Sequence, residues 1–148
     1  MLLNQNNTGE KIFSPIVRRD NKKMKKEGGG LLLKGNPVSS FKIQAEVREL
    51  VLRKWFRILG SLPGVSYVTF GACGLGGNTL HMLVETLRNL AHLSALFLPS
   101  NQISSLLPLE EIFEIHTSLT RLQLDNNQIT SLSGLETATG VTTLSLSQ

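Results

Sequence analysis

The sequence predicts an α/β solenoid, with short parallel strands along a concave face and helices and short turns along a convex one. It would be about 3.5 repeats long, behind an N-terminal helix and a disordered basic leader. Three observations carry this. A spaced apolar pattern returns along residues 61–148, the segments between its first returns have a helical apolar period, and an amphipathic stretch at 41–60 precedes the first return.

The leader comes first. Residues 1–40 have neither a 3.6 nor a 2.0 apolar period and are broken by Pro15, Gly28-Gly29-Gly30, Gly35 and Pro37. They offer too little apolar surface to offset ordering entropy, so they are expected to be disordered. Arg18-Arg19-Asp20-Asn21-Lys22-Lys23-Met24-Lys25-Lys26 is their one strong feature. Such a run attracts nucleic acid, an anionic membrane or a nuclear import receptor, although a solvated charged tail is the plainer reading. Charge is segregated along the chain: residues 1–40 carry +5, residues 41–60 carry +3 and residues 61–148 carry −4. The overall charge of +4 therefore describes neither part.

Length and composition exclude several classes. With 148 residues there is room for one ordinary domain or a small domain with a tail. No apolar run is long enough to span a bilayer, and the first residues lack the apolar stretch of a secretory signal. The single cysteine, Cys73, fits an intracellular, reducing compartment, with the cytoplasm as the default.

Residues 41–60 are expected to form a helix, with Ser39 or Ser40 as N-cap and Gly60 as its stop. Ile43, Val47, Leu50, Val51 and Ile58 share a face that Leu52, Trp55, Phe56 and Leu59 widen. One reading is a cap covering the open edge of the first repeat. The other starts at Ile43-Gln44: with Arg48, Arg53 and Phe56, and Lys54 and Arg57 as added basic contacts, the stretch resembles the IQ motif. That resemblance implies a single helix gripped by calmodulin or a related light chain. Glu49 stands where that family usually has Gly.

The repeats follow. Leu93-x-x-Leu96-x-Leu98-x-x-Asn101-x-Ile103 returns as Leu119-x-x-Leu122-x-Leu124-x-x-Asn127-x-Ile129. Val65-x-x-Val68-x-Phe70-x-x-Cys73-x-Leu75 precedes them, and Val141-x-x-Leu144-x-Leu146 follows. By these motifs residues 62–148 are identified as a member of the leucine-rich repeat family. Asn78 to Leu90 reads as a helix, and the 28-residue unit that contains it resembles ribonuclease-inhibitor repeats. Pro108 to Ile115 reads as a shorter helix. The 22-residue unit Leu119–Gly140 resembles repeats of the phosphatase-1 regulatory leucine-rich subunit and of axonemal proteins. Together with the IQ-like stretch, the chain is similar to leucine-rich repeat and IQ-domain proteins, which implies a ciliary, axonemal or centrosomal setting. The register would place Asn after Gln148, with Leu144 and Leu146 at an open edge, as in a chain cut through a fourth repeat.

Each motif residue has a physical task. Apolar strand positions point into the solenoid, and Cys73, Asn101 and Asn127 sit where the chain turns, able to bond backbone groups left unpaired by the bend. The intervening positions form three outward columns. These are Tyr67, Ala95, Arg121 and Thr143; then Thr69, Phe97, Gln123 and Ser145; then Gly71, Pro99, Asp125 and Ser147. Tyr67, Thr69, Phe97, Arg121, Gln123, Asp125, Thr143 and Ser145 are the expected partner-binding residues, with Phe97 as the anchor.

Enzyme chemistry finds no foothold in the motifs. Gly71-Ala72-Cys73-Gly74-Leu75-Gly76 follows an apolar run as a dinucleotide-binding turn would, but Cys73 replaces the second glycine and would obstruct a pyrophosphate. His81 and Glu85 lie one helical turn apart, and Glu110, Glu111, Glu114 and His116 cluster without zinc-ligand spacing. These groups and His92 are expected to be solvated on the convex face. No cofactor, metal or small-molecule substrate is expected. The expected function is non-catalytic binding of another protein on the concave face, with calmodulin or light-chain binding by the helix as the alternative.

Overall fold

The computed structural model describes residues 3–5, 11–13, 16–19, 38–44, 49–62 and 64–148. In chain order these form β1 (Leu3–Gln5), β2 (Lys11–Phe13), β3 (Ile16–Arg19), β4 (Val38–Gln44), α1 (Glu49–Gly60), β5 (Tyr67–Gly71) and α2 (Gly77–Leu87). Then come β6 (Ala95–Phe97), a 3-10 turn at Leu107–Leu109, α3 (Glu110–Ile115), β7 (Arg121–Gln123) and β8 (Thr143–Ser145). β1 and β2 pair antiparallel, apart from the main sheet.

The main sheet runs β3-β4-β5-β6-β7-β8. β3 is antiparallel to β4, and the five strands from β4 to β8 are parallel. A parallel ladder needs a crossover between neighbouring strands, and α1, α2 and α3 supply the first three on the convex side. The last crossover holds no α-helix or 3-10 turn. It winds through successive turns, in which Leu135, Ala138 and Val141 each donate to the carbonyl three residues back.

Two expectations for the N-terminal third change. Strands lie at 3–5, 11–13 and 16–19, inside the stretch expected to be a disordered leader. The helix expected over 41–60 begins only at Glu49, because Val38–Gln44 is a strand that takes Ser39 and Ser40 out of any capping role. The register gives the reason: Phe41 pairs with Val68 and Ile43 with Phe70, so Val38-x-x-Phe41-x-Ile43 occupies the apolar strand positions of a further repeat. α1 is that repeat's convex helix rather than a separate cap.

The core lies between sheet and helices. Phe41, Val68, Leu96 and Leu122 line one inward row, and Phe70, Leu98 and Leu124 the next, all buried. Leu52, Phe56 and Leu59 of α1, then Leu80, Leu83, Val84 and Leu87 of α2, close it from the convex side. Phe70 joins the two layers, its ring centroid 5.6 Å from Phe41 and 5.3 Å edge-on from Phe56. Apolar burial of this kind is the main driving force for such a stack. α2 begins tightly against the following turn: a Cβ on Gly76 would stand 2.6 Å from the Gln102 carbonyl oxygen, and the Thr79 hydroxyl donates to the Gly76 carbonyl at 2.8 Å.

Candidate protein-binding face

The concave face is built by strand alternation. Residues flanking each inward position point outward, and the parallel register sets equivalent residues side by side. One row runs Tyr67, Ala95, Arg121, Thr143, and the next Lys42, Thr69, Phe97, Gln123, Ser145. Tyr67 is 42% exposed, Arg121, Thr143 and Lys42 are exposed, and Phe97, Thr69, Gln123 and Ser145 are half-buried. Ala95, between Tyr67 and Arg121, is buried.

The turns that end the strands hold the rows in register. Ala72, Ser100 and Asn126 occupy equivalent positions and adopt φ of 54°, 57° and 54°. This left-handed geometry sends the chain toward the convex side at a cost of about 1 kcal/mol for a side chain with Cβ. Each turn also bonds forward: the amides of Ala72, Ser100 and Asn126 donate to the carbonyls of Pro99, Asp125 and Ser147.

One residue further on, Asn101 and Asn127 act as the motif requires. Asn101 Oδ1 accepts from the Cys73 and Leu75 amides at 3.0 and 3.1 Å, and its Nδ2 donates to the Phe70 and Pro99 carbonyls at 2.7 and 3.2 Å. Asn127 accepts from the Ile103 amide at 3.1 Å and donates to the Leu98 and Leu124 carbonyls at 2.8 Å each. The asparagine of one repeat thus completes the hydrogen bonds of the preceding turn. Cys73, in the first such turn, donates from Sγ to the Gly71 carbonyl at 3.3 Å.

Asp125 differs from expectation. It is buried rather than offered to a partner, and its lone pairs are used within the fold. Oδ1 accepts from the Ser145 hydroxyl at 2.6 Å and from the Ser147 hydroxyl and amide at 2.7 and 2.8 Å, and Oδ2 accepts from Gln123 Nε2 at 2.7 Å. The Ser145 hydroxyl first, then Ser147 and Gln123, hold its carboxyl well below the usual carboxylate range. The contact that sequence reasoning missed had a signal: Ser145 and Ser147 flank the inward Leu146, in the same columns as Gln123 and Asp125 one repeat earlier.

The IQ-like residues are not brought together on one helix. Ile43 and Gln44 belong to β4, and Arg48 lies outside the described residues. On α1, Phe56 is buried against Phe70, and Arg53 reaches Glu49 at 2.6 Å. On the convex side His81, His92 and Glu114 are exposed, but His116 is 5% exposed. Its Nε2–H donates to the Leu87 carbonyl at 2.8 Å, joining the ends of α3 and α2. His81, Glu85, Glu110, Glu111 and Glu114 line a shallow groove beside Leu107 and Pro108. Among the described residues no group of three or more His, Cys, Asp or Glu could hold a metal ion, and no helix is long and apolar enough to cross a membrane.

No family model and no curated protein matches this sequence. Among solved structures it is similar to one described as Leiomodin-1 Actin-Binding Site 2 (ABS2), with a TM-score of 0.59 and 15% identity. The likeness covers 71% of this chain and 69% of that one. The fold is leucine-rich-repeat-like. At that identity the likeness bears on the fold alone, and it agrees with the five parallel strands.

Proposed function

We propose that this chain is a non-catalytic protein-binding module that holds its partner on the concave face. One observation carries the reading. Tyr67, Thr69, Phe97, Arg121, Gln123, Thr143 and Ser145 lie in two adjacent rows on one sheet face, while the opposite face is packed into the core. Side chains held on a rigid sheet lose little further freedom when a partner docks, and aromatic and arginine residues dominate binding energy at such surfaces. Phe97 is the central anchor, flanked by Tyr67 and Arg121. Asp125 works within the face, fixing Gln123, Ser145 and Ser147.

The structural neighbour's description names an actin-binding site, which makes actin the first partner to test. Filament co-sedimentation of the wild type and of Phe97→Ala is the experiment. The expected outcome is a loss of tenfold or more in affinity, about 1.4 kcal/mol, with Leu107→Ala on the convex side unchanged. Binding of Phe97→Ala at wild-type strength would refute the concave face as the site. The alternative, an adaptor for calmodulin or a light chain in a ciliary or centrosomal setting, needs residues 43–56 as one helix. With Ile43 and Gln44 in a strand and Phe56 in the core, no observation favours it.

A further inference from the structure

Exposed cations occur on both faces. On the convex side Arg53 is paired with Glu49 at 2.6 Å, Arg88 with Glu85 and Glu111 at 3.1 and 2.9 Å, and Lys54 lies 5.8 Å over the Trp55 ring, while Arg57 has no ion pair among the described residues. On the concave face Lys42 and Arg121 are exposed, and neither is ion-paired among the described residues. Asp125, two residues beyond Gln123 on the Arg121 strand, already accepts four hydrogen bonds from Gln123, Ser145 and Ser147. Among the described side chains of the concave face, Lys42 and Arg121 are thus cations without an ion pair, with Phe97 and Tyr67 between them.

The register gives the spacing. Lys42 shares a row with Phe97, two strands away, and Arg121 shares the adjacent row with Tyr67, also two strands away. With strands about 4.8 Å apart and same-face residues about 6.7 Å apart along a strand, the Lys42 and Arg121 Cα atoms are about 16 Å apart. An extended chain covers that distance in about five residues.

We propose that the concave face recognises an acidic peptide segment. Two carboxylates about five residues apart reach Lys42 and Arg121, and an apolar side chain between them rests against Phe97 and Tyr67. Arg121 suits this role, because its planar guanidinium takes a carboxylate through two parallel hydrogen bonds. The proposal rests on the concave-face reading and adds the partner's chemistry to it. A peptide fits better than a nucleic acid. Tight nucleic-acid binding needs a run of cations along the phosphate backbone, and among the described side chains of this face only Lys42 and Arg121 are cationic and exposed.

The test pans a phage-displayed random dodecapeptide library on the full chain and measures the selected peptides by fluorescence anisotropy. Peptides are sorted by whether Phe97→Ala weakens them, and far-UV circular dichroism confirms that each variant folds. The expected result is that the Phe97-dependent peptides are enriched in Asp and Glu around an apolar residue. They should lose at least tenfold in affinity to the Lys42→Glu/Arg121→Glu double variant, and weaken as salt rises from about 50 to about 500 mM. Phe97-dependent peptides without acidic enrichment, or acidic ones indifferent to the double variant, overturn this inference and leave the concave-face reading standing. A library with no Phe97-dependent peptide overturns both. An oligothymidine that binds through Phe97 more tightly than the peptides overturns the choice of partner.

Discussion

Asn101→Ala should be among the most damaging single substitutions outside the apolar core. The side chain is 6% exposed and satisfies two amides, of Cys73 and Leu75, and two carbonyls, of Phe70 and Pro99. Alanine removes all four partners in a site too tight for free access of water. Each orphaned buried amide costs about 1–1.5 kcal/mol, and each carbonyl, with its second lone pair, about 0.5 kcal/mol, so the total is about 3–4 kcal/mol. Asn127 is half-buried and serves one amide, Ile103, so Asn127→Ala should cost about half as much. The assay is urea unfolding followed by far-UV circular dichroism. With a slope of about 1–1.5 kcal/mol per molar for a chain of this size, Asn101→Ala should lower the midpoint by about 2–4 M. Asn101→Asp should recover little at neutral pH, because it keeps the acceptor but turns an anionic oxygen toward the Phe70 carbonyl. A midpoint within about 0.5 M of wild type, or a larger loss from Asn127→Ala, would refute the idea that the asparagine completes the preceding turn.

Asp125 and Ala72 give two further tests of the turns. Hydrogen bonds hold the folded Asp125 carboxyl below its unfolded value near 3.8, so its contribution is fully present above that value and is lost as pH falls toward the folded value. Asp125→Asn should therefore be less stable than wild type at neutral pH, with the gap in thermal midpoint narrowing below about pH 4; a gap that widens in acid would sink the account. Ala72→Gly should stabilise the chain by about 0.5–1 kcal/mol in urea unfolding, because Ala72 holds φ of 54°, which glycine adopts without a Cβ penalty; destabilisation would mean that the methyl group packs against something the turn needs.

What was legible in the sequence follows from how local its causes are. The apolar strand positions Val68, Leu96 and Leu122 and the turn asparagines are fixed by spacing within one repeat, and the structure has the three apolar residues and Asn101 buried and Asn127 half-buried. The partition of outward columns follows from the same alternation. β4 was not legible because its repeat breaks the pattern after Ile43: Glu46 stands at the asparagine position and Arg48 at the next apolar one. Its apolar residues also fit the 3.6 period of the helix that follows, so strand and helix merged into one expected helix. Only pairing with β5, 27 residues away between Phe41 and Val68, decides between the two patterns. The burial of His116 and the saturation of Asp125 likewise depend on partners in neighbouring repeats, 29 residues back at Leu87 for the first and 20 residues on at Ser145 for the second. Spacing within a single motif cannot reveal either.

Phe41 is where the strand and the expected helix make opposite demands. In a helix starting at residue 41 it would sit in the first turn, and its loss would shift stability by no more than about 0.5 kcal/mol. In β4 it is 0% exposed and stacks at 5.6 Å on Phe70, which in turn meets Phe56 of α1 edge-on. Phe41→Ala then opens a cavity beside the Phe70 ring and should cost about 3–5 kcal/mol, whereas Phe41→Leu, which refills most of the volume, should cost about 1.5 kcal/mol or less. Trp55, the only tryptophan, is 6% exposed on α1 and reports whether that helix stays seated. If Phe41 joins β4 to the core, Phe41→Ala should shift the Trp55 emission to the red at urea concentrations where the far-UV signal of the repeats is still native. The β4 repeat has a fellow repeat on one side only, with the short antiparallel β3 on the other, so its loss of contact is released first at that end. A Phe41→Ala chain that unfolds at the wild-type midpoint, with Trp55 and the repeats changing together, would return residues 38–40 to the leader and 41–60 to the role of a simple cap helix.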